Sequence, residues 1–430
     1  MKVLILSYFY PPANFVGAAR TEAWVKYLPK DNIFPIVITR QWNHNQANIV
    51  DDVSHLEYSI EKTNQHEIHR LSYQYSLRDR LSKHPYLILF QKMLTFFEVF
   101  CSNFFVSALP FANFYFFAKK YLKENPDVKI VIASGSPFTS FFVGYLLKNK
   151  FPEIFWIPDY RDEWNSNKTK PKLSILGRFL AKVSMWSEKK WTSNASFFLS
   201  VSDICVNSIS SFIQKPGYTV KNGYSYDLAA TINTNCSPNS LTIAYIGTLY
   251  EYQEVELFIQ AVKTLVLKHK KPIYVYFIGI NSMPKEEKRV RALIAGFENT
   301  FKIIPKISKE ELVPYYQQSD LLLTTAYKGF EGWYPVKLFE YFQTGIPILL
   351  CPSDKSTIED FIVATNSGYI ANSIAEIESL LSELLHKKQN NQSISKKVNM
   401  EMAKSFSREF QTNILASILK EHCNPKNLIP

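Results

Sequence analysis

A lysine and a glutamate three residues apart, Lys337 and Glu340, stand behind a proline in Tyr-Pro-Val-Lys-Leu-Phe-Glu-Tyr-Phe-Gln-Thr-Gly-Ile-Pro-Ile-Leu-Leu, residues 334–350. Pro335 suits the first position of a helix, where no N–H is needed. Gly345 suits its end. Pro335, Leu338, Phe339 and Phe342 then share one face, and Lys337, Glu340, Tyr341 and Thr344 the other. A helix N-terminus offers free N–H groups and a partial positive charge, so it can hold a phosphate. A lysine one turn in adds a full charge, and a carboxylate three residues on can accept hydrogen bonds from two sugar hydroxyls. Such a set would suit a nucleotide. The plainer reading is an i,i+3 ion pair on the surface of an amphipathic helix.

A second group is Asp159-Tyr-Arg161-Asp162-Glu-Trp164, which directly follows an apolar run at residues 154–158. In an open α/β sheet, ligands lie beyond the carboxyl ends of strands. Three acids, an arginine and a tryptophan at that place form a candidate site; the competing reading is a charged loop in which Arg161 pairs with Asp159. Ser134-Gly-Ser136-Pro follows another apolar run, and Gly17 stands where a loop meets a helix start. No full G-x-G-x-x-G follows it, which speaks against a dinucleotide cofactor. His66 and His69 could bind a metal, but no third ligand stands out, and a solvated loop is the expectation for the polar residues 41–85. The five cysteines are scattered and odd in number, so free thiols in a reducing compartment are expected.

The elements that must hold these groups follow one grammar. Residues 2–7 read as a strand, not a signal peptide, since Tyr-Phe-Tyr-Pro-Pro follows in place of a small-residue cleavage site. A loop with Gly17, a helix and a strand at 35–39 come next, the opening of a doubly wound α/β domain. Residues 128–134, 154–158 and 197–201 read as further strands. Residues 225–240 are rich in Asn, Ser and Thr and read as a linker. The grammar restarts with strands at 241–246, ending at Gly247-Thr248, then at 273–278, 320–324 and 348–351. Ser308 with Glu311, and Ser373 with Glu376, read as helix caps. Two similar α/β domains in tandem, facing a central cleft, are expected.

The formal charge of +11 favours an anionic partner: nucleic acid, acidic lipid or a phosphorylated ligand. Residues 93–118 hold nine phenylalanines and one charge, Glu98. Their length admits a spanning helix, but Asn103, Pro110 and Asn113 interrupt them. Core packing and an aromatic face resting on a bilayer both remain open. Residues 168–190 carry seven basic residues against one acid, Glu188, with apolar residues at helical spacing. This reads as a membrane-surface helix or as the solvated face of an ordinary one. No recognition module accompanies the charge, which argues against nucleic acid.

With these residues in place, the chain resembles a GT-B glycosyltransferase of family 4, close to the branch that builds bacterial surface polysaccharides. The resemblance runs nearly the whole length. It rests on Ser7-Tyr-Phe-Tyr-Pro-Pro with Gly17-Ala-Ala-Arg20, on the 134–137 and 159–164 loops, and on Ser202-Asp203 and Asn222-Gly223. Tyr245-Ile-Gly247-Thr248-Leu continues it, and Pro335-Val336-Lys337-Leu-Phe-Glu340-Tyr is its most specific part. The family uses the matching lysine on phosphate and the matching glutamate on ribose. The resemblance implies two Rossmann-like domains, a reaction without a metal and retention at the anomeric carbon.

The resemblance assigns Gly17, Arg20, Gly247, Thr248, Pro335, Val336, Lys337 and Glu340 to the nucleotide sugar. Ser134, Ser136 and Trp164 fall on the acceptor side. Asp159, Arg161, Asp162 and Glu331 are the catalytic candidates, with no metal site. Glu331 departs from the pattern: eight residues lie between it and Glu340 where the family has seven, and Gly332 takes the expected position. After Gly247, where many members carry Arg and Lys, this chain has Glu251, Gln253 and Glu254. A histidine frequent in the family aligns with Phe141.

The expected organisation is an acceptor-binding domain over residues 1–230, a nucleotide-sugar domain over 238–405 and, over 406–430, a helix packing back towards the first domain. The expected protein is a retaining transferase using a nucleotide-diphosphate sugar, with no cofactor and no nucleic-acid partner. Its acceptor would be a lipid-linked sugar or glycan, and its place cytoplasmic, at the inner face of the cell membrane. A GT-B sugar-nucleotide epimerase and a non-enzymatic basic membrane-associated binding protein are the alternatives.

Overall fold

The computed structural model describes residues 1–13, 16–42, 57–74, 85–109, 111–166, 175–225 and 235–423. Lys168, Lys170, Lys172, Leu173, Pro110, His44, His55, His84 and most of the expected linker lie outside the described residues. The chain divides into two compact units: one of residues 1–222 with the C-terminal segment from Arg408, the other Gly223–Ser407.

The first unit is built on eight strands: β1 (Lys2–Ser7), β2 (Phe34–Arg40), β3 (Ser59–Lys62), β4 (Glu67–Leu71), β5 (Ile130–Gly135), β6 (Phe155–Tyr160), β7 (Phe198–Ser200) and β8 (Gly217–Thr219). Their order is β3-β4-β2-β1-β5-β6-β7-β8. Neighbours are parallel except β3 and β4. Central strands of a parallel sheet are covered on both faces and so read as unbroken apolar runs. Val3, Leu4, Ile5 and Leu6 of β1 are accordingly all buried. The strand order reverses between β1 and β5, the place where such sheets open a ligand crevice. The helix Arg408–His422 belongs to this unit: Leu415 and Leu419 share a core with Trp24 and Leu28. Lys420 pairs with Asp31 at 2.6 Å and Glu409 with Lys30 at 2.6 Å.

The second unit has six parallel strands: β9 (Leu241–Ile246), β10 (Ile273–Ile278), β11 (Phe301–Ile304), β12 (Leu321–Thr324), β13 (Ile348–Leu350) and β14 (Gly368–Ile370). Their order is β11-β10-β9-β12-β13-β14, with the reversal between β9 and β12. Helix capping follows the expectation. At Ser308 both arms of the capping box form, at 3.3 and 2.8 Å, and Ser373 accepts from the Glu376 N–H at 3.2 Å.

Two expectations are corrected, and the interruption of the aromatic run is seen. Residues 41–85 are not loop throughout: 57–74 contain β3 and β4, and β4 pairs with β2. The polar look of β4 is deceptive because its buried polar groups satisfy one another. His69 Nε2 lies 2.6 Å from Glu67 and Nδ1 2.8 Å from the Tyr58 hydroxyl, so His69 is committed inside the sheet. His66 instead pairs with Glu61 at 3.0 Å. The aromatic run is broken into the helices Ile88–Cys101 and Ala112–Glu124. No helix of the described residues is long and apolar enough to cross a membrane. Finally, Tyr341 and Thr344 are buried with the apolar face of their helix.

Candidate active site

The helix Val336–Thr344 begins one residue later than the sequence suggests. Pro335 is its N-cap, and Gly345 closes it in the left-handed region at φ 74°, which glycine adopts without strain. Leu338, Phe339 and Phe342 are buried; Phe339 and Phe342 pack their rings edge-on against Phe361 at 5.4 and 5.3 Å. The Tyr341 hydroxyl accepts from the Ile246 N–H at 2.7 Å and lies 3.1 Å from its carbonyl. That tie joins the helix to the carboxyl end of β9, beside the strand-order reversal. It also explains the burial of Tyr341: the residue is a clamp, not a surface group.

A cavity of about 450 Å³ opens at this end of the sheet. Gly247, Thr248, Lys337 and Glu340 line it together with the apolar side chains of Ile278, Ile307, Leu312 and Tyr316. Gly247 turns the chain at φ 109°, and a Cβ there would stand 3.9 Å from the Lys337 side chain. Lys337 Nζ donates to the Tyr245 hydroxyl at 2.6 Å and to the Thr248 carbonyl at 3.2 Å. It also lies 4.2 Å from the centroid of the Tyr245 ring. Both acceptors are uncharged, so burial wins over the pull of Glu340 and lowers the lysine pKa to about 7. Glu340 is exposed on the same wall. Charge, carboxylate and an apolar shelf therefore share one concave surface, the usual composition of a small-molecule site.

Pro335 and Val336 cap and open the helix without lining the cavity. Glu331 is exposed outside that lining, in a turn where the Gly332 N–H donates to Ser356 Oγ at 3.3 Å. Glu331 thus does not share the wall that holds Glu340.

In the first unit, several singled-out residues meet at the ends of β5 and β6. Asp159 is fully buried, and its partner is Arg20, not Arg161. Arg20 Nη2 donates to Asp159 Oδ1 at 2.8 Å, and Nη1 donates to the Val220 carbonyl at 2.7 Å. Ser134 Oγ donates to the second Asp159 oxygen at 2.9 Å. Arg161 Nε donates to the Gly135 carbonyl at 2.8 Å, and Nη2 donates to the Ser136 carbonyl. A Cβ on Gly17 would fall 1.5 Å from Arg161 Nη1, so the arginine head packs directly over this glycine and would have to shift for any other residue. Asp162 keeps an exposed edge. Even so, the protein crowded around its carboxyl raises its pKa, opposed by Arg161 and aided by Asp159. Trp164 stacks on Phe138 at 5.0 Å, with the rings 4° from parallel. Glu188 accepts from the Tyr160 hydroxyl at 3.0 Å and from Asn165 Nδ2 at 2.8 Å, anchoring the helix Ile175–Thr192 beneath this loop.

Sequence reasoning did not assign Tyr245, Leu312 and Tyr316 to the site. Leu312 and Tyr316 stand four residues apart on the capped helix Lys309–Gln318, a pattern that marks an inward face but not what the face meets.

The chain has the GT-B glycosyltransferase fold, two α/β units each on a largely parallel sheet. Residues 233–399 match the family model of glycosyl transferases group 1. No curated protein matches the chain in sequence. Among solved structures, it is similar to sucrose-phosphate synthase of Thermosynechococcus elongatus, with 14% identity over 98% of each chain and a TM-score of 0.62. It is also similar to HepE of Anabaena in complex with UDP and glucose: 12% identity, 98% and 100% coverage, TM-score 0.56. The lipopolysaccharide outer core galactosyltransferase WaaB is 13% identical over 98% and 100%, at a TM-score of 0.52.

Proposed function

We propose that the chain is a glycosyltransferase that moves a sugar, with retention, from a nucleotide-diphosphate sugar to a lipid-linked sugar or glycan acceptor of a surface polysaccharide. The observation that carries this reading is the cavity in which Lys337 and Glu340, one helical turn apart, meet Gly247 and Thr248. It lies inside the segment that matches glycosyl transferases group 1, and HepE, of the same fold, was solved with UDP and glucose. Lys337 and the first turn of its helix hold the diphosphate, and Glu340 accepts from the ribose hydroxyls. Breaking the bond from the anomeric carbon to the diphosphate leaves positive charge on the sugar and negative charge on the leaving group. Donors already aimed at that growing charge lower the barrier, with no metal needed. Arg161 and Asp162 face the acceptor; the buried Arg20–Asp159 pair and Ser134 position their loop.

The acceptor reading draws on WaaB, a lipopolysaccharide galactosyltransferase, and on one surface of the first unit. Ile175, Leu176, Phe179 and Trp186 are exposed on the helix Ile175–Thr192, as are Phe90, Met93 and Phe97 on Ile88–Cys101. Phe100 stacks on Phe179 at 6.1 Å and Phe104 meets Trp186 at 5.5 Å, so the two helices present one apolar face. Arg178, Lys182, Lys189 and Lys190 are exposed on the same helix. An apolar face carrying cations fits an anionic bilayer. The enzyme therefore works at the inner face of the cell membrane.

The test is release of nucleoside diphosphate from a panel of UDP-, GDP- and ADP-sugars, with and without extracted lipid acceptor. Release from one donor that rises with lipid is expected. An epimerase would return an epimeric nucleotide sugar with no net release, and a binding protein would leave the donor unchanged; either result overturns the proposal.

A further inference from the structure

Lys337 is not held by charge. Its two hydrogen-bond acceptors are the Tyr245 hydroxyl and the Thr248 carbonyl. The Tyr245 hydroxyl is itself fixed, within 2.9 Å of the Thr248 carbonyl and 3.2 Å of Gln253 Oε1. Gln253 is fully buried, and it accepts from the Tyr250 N–H at 3.1 Å and donates to Thr325 Oγ1 at 3.0 Å. The lysine thus ends a chain of neutral polar groups running beneath the Gly247–Thr248 turn. We infer that Tyr245 is a positioning residue for the donor diphosphate: its hydroxyl orients Lys337 Nζ and favours the protonated amine that the diphosphate requires. This rests on the donor site proposed above.

The charged groups around the amine are few. Glu340 on its own helix favours the cation, and Lys306 lines the same cavity. Among the described residues, the other titratable neighbours are the phenols of Tyr245, Tyr316 and Tyr341, with Tyr250 and Tyr327 around Tyr245. Burial raises the pKa of Tyr245, Tyr316, Tyr327 and Tyr341, so these stay neutral. The lysine pKa near 7, set by the protein groups around it, must rise when a dianionic diphosphate arrives. Binding above that pH therefore takes up one proton, and affinity falls about tenfold per pH unit. A hydrogen bond accepted from the charged amine is worth about 1.5 kcal/mol, roughly one pKa unit, so its loss moves that fall about one unit lower.

The probes are UDP-glucose, GDP-mannose and ADP-glucose, whose diphosphate diesters do not titrate in the range used. The tightest binder is titrated calorimetrically between about pH 6 and pH 9 against wild type, Tyr245→Phe, Lys337→Met and the double variant. Tyr245→Phe is expected to bind within about twofold of wild type at about pH 6 and roughly tenfold more weakly at about pH 8. Added to Lys337→Met, it should change nothing. An equal loss at every pH, an equal loss in the Lys337→Met background, or a profile identical to wild type overturns the inference. Should Tyr245→Phe not fold, wild type in two buffers of different ionisation enthalpy reads the proton directly. Uptake approaching one at about pH 8 is expected, and none at any pH overturns the inference. A wild type that binds none of the three probes at any pH overturns the donor site itself.

Discussion

At the scale of the residue, the two groups that matter most are opposites. Lys337 is a basic group held among neutral ones, the Tyr245 hydroxyl and the Thr248 carbonyl. Arg20 is a cation already matched inside the fold, with Asp159, Ser134 and the Val220 carbonyl closing its network. Removing one partner of such a buried pair leaves an unmatched charge and costs about 3–5 kcal/mol. Asp159→Ala should therefore lower the unfolding midpoint of the first unit in a denaturant titration followed by its tryptophans. An unchanged midpoint would show that the pair carries no structural weight. Lys337 and Glu340 were legible in the sequence because their relation is local, one helical turn. The Asp159 partner was not: Arg20 lies 139 residues away, while Arg161 was the near and plausible choice. Tyr245 was hidden for the same reason, since its hydroxyl reaches Lys337 across 92 residues.

At the scale of the element, apolar runs and caps made most of the strands and helices readable. β1, β9 and β10 appear as the runs suggested, because central parallel strands cannot tolerate a polar face. Strands towards the sheet edges escaped. β4 is disguised by Glu67 and His69, and β14 by its length of three residues and its glycine. That glycine is not free to change. A Cβ on Gly368 would stand 2.0 Å from the Ile348 carbonyl oxygen on β13. Backbone cannot yield as a flexible side chain can, so Gly368→Ala should cost at least about 2 kcal/mol by forced displacement. A fall in the melting temperature of the second unit checks this, and a melt like that of wild type would contradict it.

At the scale of the whole molecule, repetition of the strand-loop-helix grammar was enough to read the fold class. Strand order was not readable, because it is set by which crossovers pack and not by any local run. The aromatic and basic stretches were readable as composition only; their joint face depends on Phe100 meeting Phe179 and Phe104 meeting Trp186. If that face rests on anionic lipid, each basic side chain near the surface contributes about 1 kcal/mol. Lys182→Glu with Lys190→Glu should then weaken co-sedimentation with anionic vesicles, and added salt should weaken it in wild type. Equal sedimentation with neutral vesicles would contradict the electrostatic part.

The assignment of Lys337 to phosphate and Glu340 to ribose is tested most directly by calorimetric titration of nucleotide sugars into wild type and Glu340→Ala. Wild type should bind one member of the panel, and the variant should bind it more weakly by about 2–4 kcal/mol, roughly 30- to 1,000-fold. A Glu340→Ala variant with unchanged donor affinity would contradict the assignment.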